Sequence, residues 1–510
     1  MNKETIAKNT VFLYFRMILV MLVSLYTSRI ILHVLGIDDY GIYQTVGGVV
    51  ALLSFINTAL SAGSSRFLTF ELGRNDSGKL RKTFSSVLIV HTVLALFVVL
   101  VAETIGLWFV YNKLIVPPDR FGAAVFAFHF SVVAIFFTIT QVPYNASIIS
   151  HEKMSVYAYL SILEVCLNLA IVYLLQIAEW DKLKVYAVLL CIVHIGITLS
   201  YRLYCRCKFS ECCATLSFDK SIVKKVLNYS SWNLLTNTAS AAVVHGTTVL
   251  TNMFFNPSVV AARAIANQLN GAASQLVYNF RNAVNPQIVK RLANDDLNGS
   301  KHLLLISTKI SFFLMLLLCI PVCLVADTLL YLWLGVVPEH SVVFLRLALV
   351  TTLFQTLSQS FYTALYAKGQ IRENAICTSI IGFVSIGIIF ILFTCGFSPV
   401  SLAWCMLVEE AFLAIVVKSY LVVKIADYKW MDVWDVYWSC FKVLFVSIPI
   451  PIMVCFLLDC YSINVYVCFF VKFFSAIFFV SVAVWFWGLD LEVKDFVKQF
   501  LKKIRRHKCL

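Results

Sequence analysis

The sequence predicts an all-α polytopic membrane protein of about fourteen transmembrane helices. Composition is the first observation behind this. Of 510 residues, 60% are apolar and 13% charged, and the mean hydropathy is +0.86. A water-soluble surface needs about 25% charged residues, so this chain must face lipid. The second observation is length: apolar runs of about twenty residues recur from end to end, each able to cross about 30 Å of hydrocarbon. The third is charge placement, taken up below.

The helices are expected at about 9–35, 42–63, 84–110, 121–143, 154–178, 183–204, 230–255, 260–282, 304–334, 342–366, 373–396, 399–423, 437–459 and 463–488. The stretch from Val11 to Gly36 is too long for the apolar core of a secretory signal and lacks a small-residue cleavage site, so it reads as the first membrane helix. With the N-terminus inside, the loops expected in the cytoplasm hold about thirty of the 41 Lys and Arg residues. The outer loops hold Lys113, Arg120, Lys182, Lys184 and Arg263. The net charge of +14 therefore reports orientation in a membrane and needs no nucleic-acid partner.

The sixteen cysteines are mostly scattered on apolar segments, where they pack as small hydrophobes. Cys205, Cys207, Cys212 and Cys213 cluster in one loop, but their spacing matches no paired zinc module; reduced thiols are expected, and no metal or cofactor. The tail from Leu491 to Leu510 sets Val493, Phe496, Val497, Phe500, Leu501 and Ile504 at helical spacing among lysines, the pattern of a basic amphipathic helix on an anionic leaflet.

The chain also resembles itself at an offset of about 220 residues. Val101-Ala-Glu-Thr-Ile105 matches Val325-Ala-Asp-Thr-Leu329, Pro143-Tyr-Asn-Ala146 matches Phe361-Tyr-Thr-Ala364, and Gly41–Ile56 aligns with Ala262–Val277. An offset of six helices preserves orientation, so the expected architecture is two parallel-repeat six-helix lobes around a central cavity, plus two extra C-terminal helices. The corresponding segments are 1–215, 216–425, 426–490 for the extra pair, and 491–510 for the tail.

Inside the membrane, polar residues are the candidates for function. In the eighth helix Arg263, Asn267, Asn270, Ser274, Tyr278 and Arg281 recur at steps of three and four, which puts them on one face, with Gln268 and Gln275 beside them. Such a face cannot point at lipid without cost. It would line a wet cavity or pack against other helices. Asn233, Asn237, Ser240, Thr247 and Thr251 in helix 7, and Gln44, Gly47, Ser54, Thr58 and Ser61 in helix 2, offer further polar faces.

Arg16 and Arg29 lie in helix 1, and a mid-membrane arginine needs a partner or water. Arg29, Arg263 and Arg281 lie near helix ends, where snorkelling to headgroups is the competing explanation. The guanidinium fork suits a pyrophosphate. Glu164, Glu409 and Glu410 are carboxylates at mid-helix, and the last two are candidates for ion coupling, with structural pairing the alternative. His91, His129, His194 and His245 read as packing residues.

The opening helix Phe12–Gly36, ending Arg29-Ile-Ile-Leu-His-Val-Leu-Gly36, and the turn Asp38-Asp-Tyr-Gly-Ile-Tyr-Gln44 resemble the multidrug/oligosaccharidyl-lipid/polysaccharide (MOP) exporter superfamily, and within it the polysaccharide and O-antigen (Wzx-like) flippases. That resemblance implies two six-helix lobes and a non-enzymatic transporter in the bacterial inner membrane. It implies a cargo of undecaprenyl-pyrophosphate-linked oligosaccharide, moved from the cytoplasmic to the periplasmic leaflet for surface polysaccharide synthesis. Expected partners are that cargo, membrane lipids, and a polysaccharide polymerase and glycosyltransferases. Substrate-binding candidates are Arg16, Arg29, Arg263, Asn267, Asn270, Ser274 and Arg281, with cavity arginines on the pyrophosphate. A cation-coupled multidrug antiporter of the same superfamily is the nearest alternative, although helix 1 over 9–35 carries arginines and no carboxylate. A membrane polysaccharide polymerase or ligase would need a large outer loop, and none is expected here.

Reporter fusions test the expected topology. Fusions near Lys113 and Lys182 should be active in the periplasm and one at Arg506 should not; a periplasmic C-terminus would refute the fourteen-helix count.

Overall fold

The structure is a computed structural model, which describes residues 3–52, 64–65, 67–72, 76–151, 153–213, 217–224, 237–294, 296–368, 370, 372–460, 464–491 and 493–495. Among these residues the regular structure is entirely helical, and the chain is an all-α polytopic membrane protein. Ten of its helices are long and apolar enough to cross a bilayer. Ser54, Thr58 and Ser61 of helix 2, Asn233 of helix 7, and the basic tail beyond 495 lie outside the described residues, as does the Arg16 side chain.

In chain order the long helices are α1 (Lys3–Leu35), α2 (Ile37–Leu52), α3 (Ser77–Asn112), α4 (Phe121–Ser150), α5 (Met154–Ile177), α6 (Lys182–Lys208), α7 (237–254), α8 (Pro257–Ala293), α9 (Leu297–Leu324), α10 (Ser341–Ala367), α11 (Arg372–Thr394), α12 (401–426), α13 (Trp430–Asp459) and α14 (Val465–Gly488). Several begin on a side-chain cap: Asp76 accepts from the Lys79 amide at 3.0 Å, Asp296 from Gly299 at 2.9 Å, and Asn464 from Tyr466 at 2.9 Å. Each cap satisfies an amide that the helix cannot bond itself.

The chain divides into two compact units: residues 1–264 with 378–399, and residues 265–377 with 400–510. In the first unit α4 packs on α3 and α6, and α1 on α5. Its core joins Ile42, Val46 and Val50 of α2 to Val98 of α3 and to Ala124, Phe128 and Ile139 of α4, all almost fully buried. A small residue lets α2 come close to the start of α8. A methyl group added at Gly41 would meet the Pro257 carbonyl oxygen at 1.9 Å, so only glycine fits there.

At one end of this unit a single arginine gathers three connections. Arg120 donates from Nε and Nη2 to Asp39, at 2.8 and 2.5 Å, and from Nη1 and Nη2 to Asp181, both at 3.0 Å. Asp39 stands in the first turn of α2, Arg120 precedes α4, and Asp181 caps α6 through the Leu183 and Lys184 amides. The planar fork serves two carboxylates at once, which a lysine cannot reproduce.

In the second unit α9 packs against α10, and α10 against α12. The two extra helices α13 and α14 lie on α9. One lysine fastens both: Lys309, largely buried on α9, donates to Asp435 of α13 at 2.8 Å and to Asp490, just past α14, at 3.4 Å. Apolar contact does the rest, with Gly488 lying under the Phe313 ring so closely that a Cβ would fall 2.8 Å from it.

Both segments of the first sequence match fall at interruptions of a long helix. At the first segment, α3 passes through a π-helical turn at Ala102–Gly106; at the second, the helix breaks at Val325 and restarts as Ala326–Leu334. The acidic residue of each match is paired to a base on the next long helix. Glu103 meets His129 of α4 at 2.9 Å, and Asp327 meets Arg346 of α10 at 2.6 Å. Both carboxylates thus find a partner within their own unit.

The Arg120 clamp yields a stability prediction. Arg120→Gln should lower unfolding stability in detergent by about 1.5–3 kcal/mol, the range for hydrogen bonds to charged groups, and Arg120→Lys should restore only part of it. Thermal unfolding of the purified protein measures both.

Candidate functional site

The polar stripe of α8 falls in both compact units, Arg263 in the first and Asn267 to Arg281 in the second. Arg263 is buried, and α7 builds its surroundings. The guanidinium donates to Thr247 Oγ1 at 2.5 Å and Thr248 Oγ1 at 3.2 Å. Hydroxyl oxygens thus take part of the load that water would carry at a surface, and a snorkelling arginine would not be enclosed in this way.

Further along, Asn267 is exposed. Asn270 is half-buried, and its Oδ1 accepts from Thr352 of α10 at 2.9 Å. Ser274 donates to the Asn270 carbonyl at 2.7 Å. One turn beyond Arg281, Asn285 Oδ1 accepts from Thr363 of α10 at 3.3 Å. Asn270 and Asn285 therefore join α8 to α10, which is the packing role that small polar groups often take in membranes. Arg281 is half-buried, and its enclosed Nε finds no acceptor among the described residues. Arg29 is exposed on α1. The structure thus brings together Asn270 and Ser274, and leaves Asn267 and Arg29 open.

Glu409 and Glu410 lie on the first segment of α12. Glu410 lies near Ser358 of α10 and within electrostatic reach of Lys418. Lys418 is almost fully buried; it donates to Asn374 Oδ1 and sits 5.4 Å from the centre of the Tyr362 ring. Between Glu410 and Lys418 the helix widens into a π turn at Leu413–Lys418. The Ala414 carbonyl within that turn is taken up by Tyr437 Oη at 2.6 Å and Ser419 Oγ at 3.2 Å. A buried cation, a nearby carboxylate and a helix irregularity coincide here, a combination frequent at functional positions in membrane helices.

The sequence reading had no place for Lys418, because a lone lysine in an apolar run near a helix end is explained by snorkelling. Its repeat register was the available signal. Arg202-Leu-Tyr204 and Lys418-Ser-Tyr420, each followed four residues later by Lys208 and Lys424, are 216 residues apart. Of the histidines, His91 is fully buried and His129 is partly exposed. His129 pairs with Glu103, and His91 bonds the Val87 carbonyl at 2.9 Å while its Nε2 has no described partner. No group of His, Cys, Asp or Glu among the described residues could hold a metal ion.

No family model matches the sequence, and no curated protein does. Solved structures do. The chain is similar to an inward-facing multidrug resistance MATE family transporter of the MOP superfamily, at 14% identity and TM-score 0.69 over 79% of this chain and 95% of that one. It is similar to the lipid II flippase MurJ in an inward closed conformation, at 14% identity and TM-score 0.69 over 94% of this chain and 98% of that one. A third likeness is to a MOP superfamily transporter from Pyrococcus furiosus, described by the reverse polarity of its binding pocket, at 13% identity and TM-score 0.59 over 83% and 97%.

The Lys418 cluster has a measurable consequence. Lys418→Met should destabilise the protein by about 1–3 kcal/mol, since Asn374 Oδ1 loses its buried donor and Glu410 loses a cation from its surroundings. The double variant with Glu410→Gln should recover part of that loss in thermal unfolding, and purely additive effects would show that the two groups are not coupled. At such identities the likenesses speak to architecture alone, and on that basis the chain has the fold of MOP superfamily transporters.

Proposed function

We propose that the protein is a flippase that moves an undecaprenyl-pyrophosphate-linked oligosaccharide from the cytoplasmic to the periplasmic leaflet of the inner membrane. It does so by alternating access, with both termini in the cytoplasm, and it serves surface polysaccharide synthesis alongside glycosyltransferases and a polymerase. The observation that carries this reading is the likeness to a lipid II flippase, which extends over 94% of this chain and 98% of that one, against 79% of this chain for the MATE transporter.

The residues fit such a cargo. Arg263 presents a guanidinium enclosed with threonine hydroxyls and Arg281 a half-buried one, and a pyrophosphate accepts from such forks. Asn267, open on the same face of α8, suits sugar hydroxyls, and Asn270 and Ser274 hold the helix around it. Arg16 and Arg29 remain candidates for the same anion from α1. Glu409 and Glu410 are assigned to ion coupling, with Lys418 as the cation that Glu410 answers to.

A cation-coupled multidrug antiporter is the second reading, favoured by the MATE likeness. Drug susceptibility separates the two: an antiporter's loss sensitises cells to cationic compounds, and a flippase's loss removes surface polysaccharide.

Variants test the residue roles in a depleted strain, after membrane abundance is confirmed. Arg263→Ala combined with Arg281→Ala should abolish surface polysaccharide, and each Arg→Lys should impair it by more than a retained charge predicts. Asn267→Ala should alter sugar preference only. Full complementation by the double alanine variant would return both arginines to a structural role. Normal transport by Glu409→Gln, Glu410→Gln and their double variant across imposed pH and sodium gradients would remove the coupling assignment.

A further inference from the structure

The repeat places a cation over a tyrosine in each unit, and the two differ in what neutralises the charge. In the second unit Lys418 lies over Tyr362 and is bonded to Asn374, with Glu410 within electrostatic reach. In the first unit the matching residues are Arg202 on α6 and Tyr144 on α4, with the guanidinium carbon 5.8 Å from the ring centre. Arg202 Nη2 donates to Thr140 Oγ1 at 2.6 Å, and Thr140 matches Ser358, the residue against Glu410. The position that matches Glu410 is His194. The first unit therefore repeats the cation, the ring and the hydroxyl but lacks the carboxylate.

That missing charge is not replaced from within the described residues. Arg202 forms no ion pair among them, and its Nε is enclosed without an acceptor. Arg206, one turn later on the same face of α6, adds a second guanidinium beside the Tyr144 hydroxyl and likewise has no described carboxylate partner. Glu211, in the turn that follows α6, is occupied by His151 at 2.6 Å. Two forks thus converge on one buried ring with no internal anion. Leaving a half-buried guanidinium unanswered is costly in a low-dielectric setting.

Depth indicates the source of the anion. Arg202 and Arg206 lie six and two residues from the end of α6 at Lys208, about 9 and 3 Å along the axis. This is the depth of lipid headgroups, at the end that the charge asymmetry assigns to the cytoplasm. The abundant anion there is phosphate, and the guanidinium fork matches it in two parallel hydrogen bonds.

We propose that Arg202 and Arg206, backed by Tyr144 and Thr140, form a binding site for the phosphate group of a membrane lipid at the α6 end of the first unit. The site is separate from the α8 arginines, and it stands whether or not those bind the transported cargo. Its occupant is either a phospholipid headgroup or the phosphate end of a polyprenyl carrier, which share the same recognition chemistry. In the second case the site is where cargo first meets the protein.

Native mass spectrometry of the delipidated full-length protein, titrated with phosphatidylglycerol or with undecaprenyl phosphate, tests this. The wild-type protein should retain a phosphate lipid, and Arg202→Ala with Arg206→Ala should weaken retention by about tenfold or more. Arg202→Lys with Arg206→Lys should fall between them, and Lys182→Gln, exposed at the opposite end of α6, should leave retention unchanged. Equal retention of both lipids assigns the site to headgroups, and preference for undecaprenyl phosphate assigns it to the carrier. Thermal unfolding confirms that each variant is folded, and the lysine pair keeps the test informative should the alanine pair not fold. Wild-type retention by a folded double alanine variant overturns the proposal. So does a gain in retention on Glu152→Gln, because that residue, adjacent in sequence and outside the described ones, would then be the internal counter-ion. Loss of retention with surface polysaccharide unaffected leaves the lipid site standing and counts against the flippase reading of the cargo.

Discussion

Hydrocarbon offers no hydrogen bond, and this constraint organises the structure. Each charge carried into the bundle has to be answered by another part of the same chain, by water or by a ligand. The chain meets it with a few pairings. Lys309 is shared between Asp435 and Asp490, Lys418 has Asn374 and the Tyr362 ring, and Arg263 has two threonine hydroxyls. These pairings also decide where helices sit. Lys309 binds the two extra helices to α9, and Arg120 ties three connections through one guanidinium.

The duplicated architecture lets one half interpret the other. Glu103 with His129 and Asp327 with Arg346 are one arrangement used twice, each at an interruption of a long helix. The cation over a tyrosine is a second. A departure between the copies is then informative. Where Glu410 lies near Lys418, the first unit has His194, and Arg202 forms no ion pair among the described residues. The π turn at Leu413–Lys418 belongs to the second unit, whereas α6 is regular around Arg202. The two copies have diverged in both charge and backbone.

The helices were legible in the sequence because length and apolarity alone define a membrane span, and hydrophobicity fails only where a helix is polar. The stretches at 237–254, Pro257–Ala293 and 401–426, which carry many of the candidate polar residues, are absent from those apolar enough to qualify on composition. The Val101–Ile105 and Val325–Leu329 match was visible as letters, but its meaning, a helix interruption with a paired acid, needed coordinates. The α8 stripe was visible as periodicity. Periodicity could not tell that Asn270 bonds Thr352 while Asn267 stays open, because that depends on which helix lies alongside. Lys418, Arg202 and Lys309 escaped notice for a common reason. A single basic residue near a helix end has a ready explanation in snorkelling, and only tertiary partners reveal burial.

The central claim is that the cargo is a lipid-linked oligosaccharide, and the most direct measurement is of what accumulates when the protein is depleted. Mass spectrometry of polyprenyl-linked species from the depleted strain should show completed oligosaccharide on undecaprenyl pyrophosphate building up, with surface polysaccharide falling in step. Unchanged levels of polyprenyl-linked intermediates, together with normal surface polysaccharide, would contradict the account.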